Sequence, residues 1–391
     1  MSRAGSQERT LIGLLGALSP HWRRDAALPL RIDSLLRSDR RLGSRDRRLY
    51  RELAYTALRY LPWIEPSLAA DPAQAARRLA WLAADTAQVL PFRAEVARGL
   101  PPCPPGADAK AAILGESADA LSPRWLRAEC PEALAPPLRE ALLSRAPLWI
   151  RLQGTGCDAV LRELEALGVP WQRSALLDAA IRLPADARVD AMDTYRLGLF
   201  EVQDAGSQRV LETAGIAPAG RWLDACAGAG GKSLQLAALL GPQGAVIARD
   251  PRPEALAQLR ARAERAGLAG RIAAGGDADP PGGFDGVLVD APCSGSGTWR
   301  RSPHLRWVTT PAGIESAARL QLRLLVENAP RVRRGGVLVY ATCSLCRSEN
   351  ERVAEAFLGQ GTGFVAAAPA RRLMPWEHDG DGFFVAVFQR T

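Results

Sequence analysis

Residues 284–299 read FDGVLVDAPCSGSGTW. Val287–Val289 is a short apolar run of the kind that fills a fully buried strand. It stops at Asp290, Pro292 and Cys293, and a small, flexible stretch, Ser294–Gly297, is expected to follow. In an open α/β sheet, ligands are handled just beyond the carboxyl ends of the strands. An acid and a thiol at such an edge mark where chemistry is expected. Residues 336–344, GVLVYATCS, repeat the design, ending in Thr342, Cys343 and Ser344. Two strand-end cysteines in one sheet are the feature to explain.

Outward from this stretch, strands and helices alternate. Strands are expected at 222–225, 245–248, 272–274, 287–289, 337–340 and 383–388, with helices at 231–240, 253–266, 314–329 and 348–358. Such alternation predicts a mostly parallel, doubly wound sheet over residues 201–391. Residues 119–200 suggest a small α/β module, with strands at 148–152 and 180–183 around an amphipathic helix at 158–167. Residues 1–118 read as helical, with apolar residues three and four apart in 10–18, 26–36, 46–60, 73–84 and 87–100.

The chain has 391 residues, 47% of them hydrophobic and 24% charged, enough for ordinary globular cores in two or three domains. Its formal charge is +8, and all basic residues except Lys110 and Lys232 are arginine. Arginine suits bidentate phosphate recognition, so Arg37, Arg40, Arg41, Arg45, Arg47, Arg48 and Arg51 form either a solvated face or an RNA contact surface. Seven cysteines without framework spacing argue against a disulfide scaffold. Cys343 and Cys346 form a lone CxxC with three histidines in the whole chain, which argues against a metal site. No signal core and no 18-residue apolar run is present, so a cytoplasmic, membrane-free monomer is the expectation.

The first turn of the expected sheet, Asp224–Ser233, is DACAGAGGKS. Its glycines let a ligand approach the backbone, and a helix start favours an anion. A phosphate-binding loop ending in Gly231-Lys232-Ser233 requires glycine at position 226, which is Cys226. A dinucleotide fingerprint from Gly228 requires glycine where Ser233 stands. S-adenosylmethionine remains, its carboxylate against Cys226, Ala227, Gly228, Ala229, Gly230, Gly231 and Lys232. A ribose-binding carboxylate is then expected after the second strand, where Asp250 stands. Asp277 after the third and Asp290 after the fourth complete a series of strand-end acids.

Methylating carbon 5 of a cytosine gives two thiols and an acid something to do. A thiolate added at carbon 6 turns the inert carbon 5 into an enamine carbon. A carboxyl group at ring nitrogen 3 stabilises the charge that develops, and a base must later remove the carbon-5 proton. Cys343, Asp290 and the Cys293–Gly297 loop can supply these groups. Residue types alone do not say which thiol attacks.

The chain resembles the Fmu/Sun (RsmB-like) family of S-adenosylmethionine-dependent RNA cytosine-5 methyltransferases. The likeness rests on Asp224–Ser233, Asp290–Gly297 and Thr342–Ser344. The resemblance implies that Cys343 is the nucleophile, Cys293 assists release, and a small-subunit ribosomal RNA is the substrate. Residues 200–208, FEVQDAGSQ, are similar to the family segment before the catalytic core. Residues 43–59 resemble the NusB-like RNA-binding domain of bacterial members. The implied organisation is a helical NusB-like domain (1–118), a small α/β linker module (119–200) and a Rossmann-like methyltransferase domain (201–391). Two departures stand out: Ala229 where the family has proline, and Cys346, a thiol available to pair with Cys343 on oxidation. Trp299, Arg300, Arg301, His304, Arg306 and Trp307 are expected to stack on and neutralise an RNA strand. The alternative is a non-catalytic RNA-binding assembly factor with a relict methyltransferase fold.

Overall fold

The computed structural model describes residues 2–154, 156–275 and 282–391. The chain forms two compact units: Met1–Arg145 with Trp299–Thr310, and Ala146–Thr298 with Pro311–Thr391.

The first unit is helical. Its main helices are Arg3–Leu18, Leu28–Ser38, Ser44–Arg59, Leu61–Ala70, Pro72–Leu82, Val89–Val96 and Ala107–Leu114. Local chemistry sets several starts. Ser2 Oγ accepts from Gly5 N, and the Asp71 carboxylate accepts from Ala73 N and Gln74 N. Leu61–Ala70 was not expected, because its two prolines read as breaks. Pro62 stands in the first turn, where no N–H is missed. Pro66 gives up one helical bond, offset by burial of Leu61, Trp63 and Ile64. Trp22, Leu53, Trp63, Leu79 and Trp81 fill the core of this unit.

Trp299–Thr310 belongs to that helical unit, which corrects the expectation that its aromatics and arginines face a nucleic acid. Trp299 is 1% exposed and meets Trp125 edge-on at 6.0 Å. The Arg306 guanidinium is buried 5.0 Å from the Trp299 ring and donates to the carbonyls of Arg59, Leu121 and Leu142. Arg300 Nε donates to Ser144 Oγ, and Trp307 Nε1 to the Leu58 carbonyl. His304 is buried, while Arg301 is exposed. Carbonyls at helix ends lack intrahelical donors. A guanidinium with five N–H groups can satisfy several at once.

The second unit carries two sheets. The smaller is antiparallel, built from β1 (Leu148–Leu152), β2 (Gln172–Arg173), β3 (Ala180–Leu183) and β4 (Phe200–Val202) in the order β2-β3-β1-β4. The larger begins with β5 (Gly220–Asp224), β6 (Gly244–Ala248), β7 (Ile272–Ala274), β8 (Phe284–Asp290) and β9 (Val332–Thr342). It ends with β10 (Phe364–Ala366), β11 (Arg371–Leu373) and β12 (Phe383–Arg390). Its order is β10-β12-β9-β8-β5-β6-β7, with β11 also pairing β12. Strands β5 to β9 are parallel, and β10 to β12 pair antiparallel.

Alternation along the strands divides the core into two layers. Leu288, Val339 and Ala341 join Leu211, Leu234 and Leu259 on one face. Val287, Val289, Leu338 and Tyr340 join Leu325, Val353 and Phe357 on the other. The sheet is therefore covered on both sides, as a parallel sheet must be. The helices that do this are Ala205–Ala214, Gly231–Leu240 and Pro253–Arg265 on the first face, and Pro311–Asn328 and Glu351–Gly359 on the second. No helix among the described residues is long and apolar enough to cross a membrane.

Gly286 shows how tightly β8 is packed against β5. A Cβ there would lie 2.3 Å from the rigid indole of Trp222. Gly286→Ala should therefore destabilise the unit by about 1–3 kcal/mol through overpacking. Adding Trp222→Leu should recover part of the loss, and thermal unfolding of the single and double variants measures both effects.

Candidate active site

Register brings the chemistry-bearing residues to one edge of the large sheet. Asp224 of β5 pairs with Ala248 of β6 on one side and Leu288 of β8 on the other. Asp290 of β8 pairs with Ala341 of β9. Strand β5 thus lies between two neighbours whose connections diverge, where open α/β sheets bind ligands. Cys343 is two residues beyond Ala341, and Cys293 three beyond Asp290. Their Sγ atoms are 3.4 Å apart.

The turn after β5 is held open for a ligand. Gly228 has φ +53° and Gly230 φ +88°, both left-handed conformations that glycine adopts readily. A Cβ on Gly228 would meet nothing closer than Arg252 Nη2 at 3.8 Å, so its face of the turn is open. Helix Gly231–Leu240 starts without a side-chain cap, leaving first-turn N–H groups for an anion. The Asp250 carboxylate accepts from Gly228 N at 2.9 Å and from Arg252 N, Nε and Nη2 at 2.8–3.0 Å. These donors occupy both oxygens, so a ribose hydroxyl must compete with the exposed Arg252 side chain. The Arg252 side chain is exposed but the Asp250 carboxylate is largely buried, so a ribose hydroxyl must displace one of these bonds to reach it. The open glycine face, uncapped helix start and strand-end carboxylate fit S-adenosylmethionine. Asp277 lies outside the described residues.

Behind the turn, Asp224 is buried and accepts from Ser233 Oγ at 2.7 Å and Cys226 N at 3.4 Å. Burial raises its carboxyl to about 6, with the nearby Asp290 adding to the rise. Burial also pushes the Cys226 thiol up, reinforced by Asp224, Asp290 and Asp250. Cys226 therefore stays a neutral thiol and contributes through its backbone. Lys232 Nζ lies 2.8 Å from Asp290 Oδ2 and 4.7 Å from the centre of the Phe383 ring. Ala227, Gly228, Ala229, Gly230 and Gly231 form the turn itself, from the end of β5 to the helix start.

The stretch Ser294–Gly297, expected to be flexible, is tightly held. Gly297 N donates to the Cys343 carbonyl at 2.9 Å, and Gly382 N to the Gly297 carbonyl at 2.9 Å. A Cβ on Gly297 would lie 2.1 Å from Gly382 O, so small residues here serve close packing. Cys346 is buried, its Sγ 3.5 Å from Ser296 Oγ, and the neighbour of Cys343 is Cys293 instead. Cys293 and Cys343 are both partly exposed. The Cys293 thiol is pushed well up, first by its hydrogen bond with Cys343, then by burial and by the charges of Cys343 and Glu349.

A buried polar cluster around Glu349, Gln321 and Asn350 escaped the sequence reading. Thr342 Oγ1 donates to Asn350 Oδ1 at 2.6 Å, and Asn350 Nδ2 to the Ser344 carbonyl at 2.9 Å. Residues 349–350 sit just before a helix, where an acidic residue ordinarily reads as a solvated first-turn charge.

The state of Asp224 gives a pH prediction. Its folded pKa is about 6 against an ordinary 3.8. The stability this group contributes is therefore present below 3.8 and lost as pH rises through 6. Asp224→Asn should gain on the native protein by about 1–3 kcal/mol between pH 4 and pH 7.5. Melting curves of the two proteins across that range, without ligand, measure the difference.

Residues 215–389 match the family model described as 16S rRNA methyltransferase RsmB/F. Ribosomal RNA small subunit methyltransferase B of Xylella fastidiosa strain 9a5c is 33% identical over 291 residues, covering 69% of each chain. Its counterpart in strain Temecula1 is 34% identical over 294 residues, covering 69% of this chain and 67% of that one. Among solved structures, PH0851 superposes with a TM-score of 0.74 at 20% identity over the full length of both chains. A methyltransferase homologue from Pyrococcus horikoshii gives 0.59 at 25% identity, over 72% of this chain and 98% of that one. The chain belongs to the RsmB/F family of S-adenosylmethionine-dependent methyltransferases.

Proposed function

We propose that this protein methylates carbon 5 of a cytosine in small-subunit ribosomal RNA, with Cys343 as nucleophile and Cys293 assisting release. The observation that carries this reading is the 3.4 Å separation of the two sulfurs beside Asp290 and the glycine turn. The substrate class is supported by the relatives, which are named as ribosomal RNA small subunit methyltransferases.

S-adenosylmethionine, when bound, supplies an electrophilic methyl group. Gly228–Gly231 and the helix start hold its anionic end, and Asp250 faces its ribose. Cys343 adds to carbon 6 of the cytosine, breaking the 5,6 double bond and making carbon 5 nucleophilic. Asp290, 2.8 Å from Lys232 Nζ, faces ring nitrogen 3 and relays a proton from Lys232 to it, offsetting the negative charge that thiolate addition places there.

The two thiols act in turn. In this reading Cys293 keeps its proton in the resting pair and shares it with Cys343 Sγ across 3.4 Å. The first cause of Cys293's high proton affinity is Cys343. Once Cys343 is bound to carbon, the largest cause of that rise is gone; burial and Glu349 still favour the thiol, so its proton must pass to solvent before Cys293 can act as base. The Cys293 thiolate then takes the carbon-5 proton, the double bond re-forms, and Cys343 leaves as thiolate.

In this reading residues 1–118 serve as an RNA-binding, NusB-like part, 119–200 as the linker module and 201–391 as the catalytic part, except that residues up to Arg145 and Trp299–Thr310 pack with the helical unit. Exposed Arg37, Arg40, Arg45 and Arg48 support the first role. A cytoplasmic monomer, where ribosomal RNA is found, completes the proposal.

Cys343→Ala should abolish methylation, a loss of at least ~10³-fold in rate. Cys293→Ala should form the protein–RNA bond and fail to break it, so a denaturation-resistant complex accumulates. Gel analysis of both variants with small-subunit RNA and S-adenosylmethionine tests the assignment. Adduct retained in Cys343→Ala and lost in Cys293→Ala would reverse the roles.

A further inference from the structure

Glu349 is completely buried, yet among the described residues no cation pairs with it. Its carboxylate accepts from Ser294 N at 2.8 Å, Ser344 Oγ at 2.6 Å, Gln321 Nε2 at 3.2 Å and Ser294 Oγ. All four donors are uncharged. A buried carboxylate without a counter-charge is costly, and here four hydrogen bonds offset that cost.

What Glu349 joins is informative. Ser294 follows Cys293, and Ser344 follows Cys343. Gln321 Nε2, bound to Glu349, also donates to the Pro292 carbonyl at 3.0 Å, on the other side of Cys293. Tyr340 hydroxyl donates to Gln321 Oε1 at 3.1 Å and to the Glu349 carbonyl, tying the cluster to β9. Ser296 Oγ accepts from Leu345 N at 2.8 Å and lies 3.1 Å from Ser344 Oγ. One carboxylate thus stitches together the two loops that present the two sulfurs.

We propose that Glu349 is a positioning residue that holds Cys293 and Cys343 in contact and makes them unequal, Cys293 the proton holder and Cys343 the free sulfur. This rests on the two-cysteine reading above and adds what differentiates the thiols. A negative charge fixed beside the Cys293 loop disfavours a second negative charge on Cys293. The same charge makes Cys293, once deprotonated, a stronger base toward the carbon-5 proton. The titratable neighbours that share this environment are Cys343, Cys346, Tyr340 and Glu351. An isosteric substitution at 349 removes the charge while keeping the shape of the side chain.

The test is Glu349→Gln in the full chain, with two readouts. The first is the ratio of iodoacetamide alkylation at Cys343 to that at Cys293, followed by mass spectrometry without RNA or cofactor. The native protein should favour Cys343, and Glu349→Gln should reduce that preference about tenfold, one unit of relative proton affinity. The second is turnover with RNA. The variant should accumulate the denaturation-resistant adduct, with affinity for S-adenosylmethionine unchanged. Ser294→Ala keeps the charge and removes one donor, so it should keep the alkylation preference.

An unchanged preference and no adduct in Glu349→Gln would overturn the proposal. Should that variant not fold, the double variant Ser294→Ala/Ser344→Ala takes its place. It should turn over slowly and accumulate adduct, and a native rate would overturn the stitch. Methylation persisting in Cys343→Ala would instead sink the two-cysteine reading, while the alkylation ratio still reports on Glu349 alone.

Discussion

The contact between Cys293 and Cys343 is the constraint on which the rest of the site depends. Two sulfurs 50 residues apart in sequence meet only because β8 and β9 are parallel neighbours in a fixed register, Asp290 opposite Ala341. A shift of one residue in that register would turn every side chain of β9 to the opposite face. It would also carry Cys343 away from Cys293. The alternation of Leu338, Val339, Tyr340 and Ala341 between two core layers forbids the shift. Hydrophobic burial on both faces of a sheet thereby fixes the distance between the two sulfurs.

Around that contact, the site separates its charges by role. Lys232 neutralises Asp290 on the side of the glycine turn, while Glu349 lies on the far side of the cysteine loops among uncharged donors. Asp224 is buried beneath the turn, with Ser233 and the Cys226 amide as partners. Each carboxylate is therefore in a different environment, and the environment rather than the residue type determines what it does. The same holds for the thiols. Cys226 is kept neutral by burial and three carboxylates, Cys346 is packed among serines, and Cys293 and Cys343 share a partly exposed edge.

Much of this was legible in the sequence because buried parallel strands and amphipathic helices have strong periodicities. The expected helix at 231–240 and the strands at 148–152, 180–183 and 272–274 have the same bounds in the structure. The glycine turn and the strand-end acids Asp250 and Asp290 were read from their places after apolar runs. What failed had a common cause: partners distant in sequence leave no local mark. Trp299–Arg306 looked like a nucleic-acid surface because an arginine does not reveal that its acceptors are the carbonyls of Arg59, Leu121 and Leu142. Glu349 drew no reading for the same reason, since its donors Ser294 and Gln321 lie far from it in sequence. Short strands β10 and β11 were missed because three residues carry no period. Leu61–Ala70 was missed because proline was weighted above burial.

In the proposed mechanism, the sulfur of residue 343 forms the bond to the pyrimidine. Trypsin separates the two candidates, since Cys343 falls in the peptide between Arg334 and Arg347 and Cys293 in the one ending at Arg300. The direct measurement is fragmentation mass spectrometry of the protein–RNA complex trapped on 5-fluorocytidine RNA and digested with trypsin and nuclease. The account predicts a nucleotide on Cys343 alone. A nucleotide on Cys293, or on neither cysteine in a protein that methylates, would contradict it.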